Sequence, residues 1–205
     1  MVLAASLFSR PVEAQHIIHG NIAADTTWGD HQATYVLTGT IELARNAVLT
    51  IRPGVSVRFQ PGARLLIYGR VEAERVLLDG LEDVGNLETI AYRKGSKGLL
   101  RNCILQDLEL FIETNDVTVT RSLITNRNGS GITVAPRATP LISDNVFQGN
   151  SYYALYKAGR QHLNAPDNHW GAADGPSGAG PGNGDAVNLS VDFIPFLKRD
   201  RGDHL

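Results

Sequence analysis

The sequence predicts an all-β chain whose short strands coil into a parallel β-solenoid (β-helix) of about seven to nine turns, with a Gly/Pro-rich capping loop near its C-terminal end. Three observations carry this: a repeat of about 22 residues, short alternating apolar stretches within each repeat, and no window that sustains a 3.6-residue apolar stripe with helix caps.

The repeat is plainest in the second half. The segments GLLRNCIL, VTVTRSLI, TPLISDNVF and HLNAPDNHW align with Cys103, Ser122, Asn145 and Asn168 in one column and Leu105, Ile124, Phe147 and Trp170 in another. Successive members are 19, 23 and 23 residues apart. A third column, three residues before the first, holds Leu100, Val119, Ile142 and Ala165. Each unit has a further apolar stretch, LELFIE (108–113), GITVAP (131–136) or YYALYK (152–157), with Asn/Gly/Ser-rich corners such as NRNGSG between. One coil cannot bury its inner face alone, but coils stacked at strand spacing share a continuous core.

The N-terminal half follows the same logic. TGTIEL (38–43) echoes YGRVEA (68–73), and AVLTIRPGVSVRFQPGARLLI strings apolar strands across two Pro-Gly turns. Alternation points Leu49, Ile51, Val55, Val57, Phe59 and Ile67 inward and Thr50, Ser56 and Arg58 outward.

A length of 205 residues suits one domain or one elongated stack. Residues 16–197 are assigned to the solenoid, 198–205 to a charged tail, and 1–15 to a signal-peptide remnant or an N-terminal cap. In that first segment the apolar run VLAASLF precedes Val12 and Ala14, at the −3 and −1 positions of a signal-peptidase site, although a basic n-region is missing. With 19 basic and 21 acidic residues, and no basic run to track a phosphate backbone, nucleic acid is not expected as a partner. No apolar run approaches the roughly 20 residues of a membrane-spanning helix. Cys103 is the sole cysteine, which excludes an intrachain disulfide and reads as a small buried hydrophobe.

The two ends resemble a family. HGNIAADTTWGDHQATYVLTGTIELARNAVLTIRPGVSVRF looks like the entry coils of secreted bacterial right-handed parallel β-helix proteins, the pectate-lyase-like superfamily in the broad sense. DNHWGAADGPSGAGPGNGDAVNLSVDFIPFL looks like their ending, and with the central repeats the resemblance covers about Ile17 to Leu197. It implies right-handed winding and a secreted or surface location in a bacterium. It leaves function open, because such folds host unrelated activities. Within it, Trp170 extends the Leu105, Ile124, Phe147 column as a lid on the last coil, Asn168 extends the small polar column, and glycine lets the following loop turn tightly.

Candidate sites follow from the strand faces. Lyases on this fold gather outward acids around calcium with an Arg or Lys base, and hydrolases group Asp residues. Here Glu109, Glu113 and Asp116, with Asp107 also placed outward, would be the acidic side, and Lys157 or Arg160 the base. The equivalent places in the next coils hold Thr133 and Ala135, then Tyr153 or Leu155 with Lys157, so the acids form one row and no stacked cluster. The long loops that wall a lyase cleft are missing too. Tyr152, Tyr153 and Tyr156 share one short strand, and those that alternation turns outward could stack on sugar rings, with at least one turned inward. Asp174 and Asp185 among glycines are the candidate calcium ligands. GNGD departs from the glycine-rich nonapeptide pattern and no D-x-D-x-D series occurs, so bonding loop amides is their expected role. His16 and His19 would need a third ligand to hold a metal, and no other cofactor is expected. The reading is a non-catalytic module with a structural, adhesive or glycan-binding role and a cell-surface glycan or polysaccharide as partner. The alternative is a small polysaccharide lyase or glycoside hydrolase acting on acidic polysaccharide.

Overall fold

The structure, a computed structural model, describes residues 14–80, 89–200 and 202. It is a parallel β-solenoid of about six turns, without helix among the described residues. Each turn visits three sheets in fixed order. Ala33–Leu37 lies in sheet A, Thr40–Leu43 in sheet B and Val48–Ile51 in sheet C; Ser56–Phe59, Arg64–Ile67 and Arg70–Glu74 repeat the circuit one turn on. Every strand pairing is parallel, and the sheets contain seven, eight and six strands. A two-stranded sheet of Leu163–Asn164 and Val191–Asp192 belongs to the last turns.

The count is below the expected seven to nine because that division spread the repeat over the whole length. Residues 1–13, with most of the N-terminal assignment, lie outside the described residues, as do 81–88 and residues 201 and 203–205 of the tail. Ala14 and Gln15 belong to the first strand of sheet A, Ala14–Ile18. The segment 171–183 adds no complete turn: Pro176–Gly178 pairs beside Gly184–Val187 at the edge of sheet B. No helix among the described residues is long and apolar enough to cross a membrane.

The columns read from the sequence are real stacks. Leu105 lies over Ile124 and Ile124 over Phe147 in sheet A, while Leu100, Val119 and Ile142 stack in sheet C. Leu49, Ile51, Val55, Val57, Phe59 and Ile67 are all buried. The echo between TGTIEL and YGRVEA pairs strands of different sheets, because Thr40–Leu43 belongs to sheet B and Arg70–Glu74 to sheet C. Both stretches alternate alike, so apolar pattern alone could not tell them apart.

Side chains from different sheets share the interior. Tyr92, from sheet B, is fully buried, and its ring occupies the space a side chain at Gly98 of sheet C would need. A Cβ at Gly98 would come within 2.3 Å of that ring. The Tyr92 hydroxyl has no hydrogen-bond partner among the described residues. Burial also pushes the Cys103 thiol up to about 11, which leaves it protonated and inert at neutral pH.

The corner from sheet C to sheet A is built the same way in successive turns. Arg75, Asn102, Arg121 and Asp144, and Asp167 after the two-stranded sheet, have φ of 51 to 58°, the left-handed region that turns the chain sharply. The next residue points inward: Val76, Cys103, Ser122, Asn145 and Asn168, all buried. Ser122 Oγ accepts the amide of Cys103 at 3.0 Å, Asn145 Oδ1 that of Ser122 at 3.0 Å, and Asn168 Oδ1 that of Asn145 at 2.9 Å. Asn145 and Asn168 also donate to the carbonyls of Val119 and Ile142. The small polar column is therefore a ladder that satisfies corner backbone groups in the dry interior.

Aromatic pairs stand near both ends. Trp28 stacks on Tyr35 with centroids 5.2 Å apart, and Trp170 stacks on Phe147. Beyond Trp170 the glycine-rich segment passes close to backbone and aromatic atoms. A Cβ at Gly184 would lie 2.0 Å from the Trp170 carbonyl oxygen, and one at Gly175 would lie 2.8 Å from the Phe196 ring. Glycine is needed there for close approach, and at Gly175 also for a φ of 94°.

Candidate functional site

The outer face of sheet B carries one column from turn to turn: Glu42, Leu66, Ala91, Phe111, Thr133 and Tyr156. It ends in an aromatic group. Tyr156 is half-buried, its ring 5.2 Å from that of Tyr153 and tilted 45°, and Tyr152 beside them is 67 % exposed. One turn back, Thr133 donates its hydroxyl to Glu109 Oε1 at 2.6 Å.

None of the three tyrosines turns inward. In Leu155–Lys157 the buried residues are Leu155 and Lys157, and Tyr152 and Tyr153 belong to the preceding bend, where Ala154 takes the inward place. A strand of three residues holds too little alternation to fix its phase. The same error placed Lys157 outward. Its side chain is inside, and its ammonium donates to the carbonyls of Ala135, Pro136 and Ala158 at 2.7, 2.8 and 3.2 Å. Asp107 is the second correction: it is buried at the corner after Ile104–Gln106, where the Arg127 guanidinium closes on its carboxylate at 2.6 Å.

The remaining acid and base candidates stay apart. Glu109 opens the strand Glu109–Ile112 and Glu113 follows it, so their Cα atoms are about 13 Å apart at strand rise. Glu109 is drawn to Thr133 in the next turn and Glu113 to Arg93 in the previous one, at 3.4 Å. Paired glycosidase carboxylates sit about 5 to 9.5 Å apart. Asp116 and Arg160 are exposed and make no ion pair with the other candidates.

Asp185 accepts from the amides of Gly149 and Asn150 and from Asn150 Nδ2, at 3.2, 2.8 and 2.7 Å. Asp174 accepts the amide and side chain of Asn183, and that backbone bond holds its carboxyl below the usual range. Both carboxylates are taken up by loop amides. His16 pairs with Asp30 at 3.0 Å, and no three His, Cys, Asp or Glu residues converge on a metal position among the described residues.

Two grooves of about 330 Å3 lie along the corner from sheet B to sheet C. One is lined by Asn21, Ala23, Glu42, Ala44, Arg45 and Tyr68, with the Arg45 guanidinium 5.7 Å above the Tyr68 ring. The other contains Lys94, Glu113 and Arg137.

Protein-family models, curated proteins and solved structures yield no match to this chain. The fold thus rests on its register, and the site on its side-chain chemistry. Sequence reasoning missed Phe111 as a member of the column, set Thr133 beside Tyr153 or Leu155 where the register pairs it with Tyr156, and missed the Trp28–Tyr35 stack. The recurrent offset between LELFIE, GITVAP and YYALYK was the available signal for the first.

Proposed function

We propose that this chain is a non-catalytic glycan-binding module, secreted or held at a bacterial cell surface, that contacts sugar rings through Tyr152, Tyr153 and Tyr156. The observation that carries the reading is the tilted Tyr153–Tyr156 pair beside exposed Tyr152, at the end of an outer column that also includes Phe111 and Thr133. Aromatic faces with hydroxyl tips suit the apolar faces and polar rims of pyranoses. Separated acids and an inward Lys157 favour binding over turnover. Right-handed winding is part of the proposal, supported by the strong preference of parallel crossovers for that hand. So are kinship with the pectate-lyase-like superfamily, supported by the end motifs, and the roles of Asn168, Trp170 and the glycine-rich loop as a C-terminal cap, supported by their packing. The Val12 and Ala14 spacing supports export.

A glycan array read beside Tyr152→Ala and Tyr156→Ala variants tests the function. Binding that drops in both variants while their melting temperatures hold is the expected result. Retained binding in both, or release of sugar products from an acidic polysaccharide, would overturn it.

A further inference from the structure

We infer that the groove formed by Lys94, Glu113, Ala135, Pro136, Arg137 and Ala138 is an oxyanion site, which takes the carboxylate, sulfate ester or phosphate ester of a glycan. Its residues come from three successive turns: Lys94 follows Thr89–Tyr92, Glu113 follows Glu109–Ile112, and Ala135 to Ala138 follow Ile132–Val134. The volume of about 330 Å3 admits one sugar with its substituent. Lys94 and Arg137 are exposed and form no ion pair among the described residues, whereas the carboxylate lining the groove, Glu113, is already paired with Arg93. Two lining cations thus stand beside a single acid that Arg93 already holds.

A second observation comes from behind the wall. The next turn supplies Lys157, fully buried, whose ammonium bonds the carbonyls of Ala135 and Pro136, two of the lining residues. Gly159 packs against Pro136 from the same side; a Cβ there would come within 2.9 Å of the ring. The wall is fixed in shape and carries a positive charge at its back, where low dielectric makes that charge felt. Arg137 offers a planar fork for two oxygens and Lys94 a mobile point charge. The apolar surfaces of Ala135, Pro136 and Ala138 leave room for a ring beside the charged group. Ala135 lies two residues beyond Thr133, about 7 Å along the strand, so the groove adjoins the tyrosines. The identity of the carrier as a glycan rests on the function proposed above; the oxyanion site does not.

The test follows backbone amide shifts of Gly95, Ser96, Ala138 and Thr139 during titration with inorganic sulfate, inorganic phosphate and glucuronate. Saturable shifts are expected with at least one of them, and the preferred probe tells which of the three groups is recognised. Lys94→Gln and Arg137→Gln should each weaken binding about tenfold, the scale of one charge-assisted hydrogen bond. Arg64→Gln, outside both the groove and the tyrosine face, should leave it unchanged, and because inorganic sulfate and phosphate carry no sugar ring, failure here is distinguishable from failure of the tyrosine face. No saturable shift with any probe, shifts that persist when Lys94 and Arg137 are both replaced, or an equal loss in Arg64→Gln would overturn the inference.

Discussion

The indole of Trp170 lies on the ring of Phe147, centroids 4.9 Å apart and planes within 9° of parallel. Both side chains are fully buried, so the stack continues the Leu105 and Ile124 column with larger, flatter surfaces as the solenoid ends. Trp170→Ala should cost about 3 to 5 kcal/mol, as for other large aromatics deleted from a core, and Trp170→Phe much less. Urea denaturation of the two variants measures the difference.

The ladder of small polar side chains should be as sensitive as the core. Asn145→Ala removes the acceptor for the Ser122 amide and a donor to the Val119 carbonyl, leaving the buried Ser122 amide unpaired. The orphaned amide should cost about 1 to 3 kcal/mol, and the lost bond to Val119 adds to it. Ser122→Ala, which strands the amide of Cys103, should cost less. Native-state hydrogen exchange would locate the loss at those amides.

Tyr92 and Gly98 should behave as a coupled pair. Tyr92→Phe removes a buried hydroxyl without a partner among the described residues and should stabilise the protein by about 1 kcal/mol. Gly98→Ala should destabilise by about 1 to 3 kcal/mol through overpacking against the ring, and most of that cost should vanish in a Tyr92→Leu background. A double-mutant cycle on unfolding free energies reads the coupling.

Lys157 ties stability to alkaline pH. Desolvation lowers its pKa below the ordinary 10.5, so between the folded and unfolded values the unfolded chain binds more protons. Stability from this group therefore rises with pH through that window and levels off above 10.5. Lys157→Met should remove the rise, although at neutral pH it also removes the ammonium bonds to the carbonyls of Ala135 and Pro136. Melting temperatures from pH 7 to pH 10.5 on both proteins check the slope.

The stacking was legible because it is a matter of period. Residues 19 or 23 apart carry like side chains at Cys103, Ser122, Asn145 and Asn168, and the register follows from their alignment. Facing was not legible where strands are shortest. In Leu155–Lys157 a lysine takes an interior position by reaching the corner carbonyls, and polarity alone placed it outside. Asp107 misled for a related reason: its partner, Arg127, is a turn away in space but 20 residues away in sequence. The groove at Lys94 and Arg137 was invisible because it takes residues from three separate turns, none of which forms a local motif.

The left-handed corners before Val76, Cys103, Ser122 and Asn145 set where this architecture can grow. That junction is two residues long in each of these turns, whereas the one from sheet A to sheet B has two residues at 107–108, six at 126–131 and seven at 148–154. In these turns the extra residues are absorbed on one flank while the other keeps its length, and only the earlier junctions at 29–32 and 52–55 take four residues there. New peptide grafted between Asn126 and Gly131 would project sideways while the stack beneath kept its pitch, so the scaffold can acquire recognition loops without renegotiating its core.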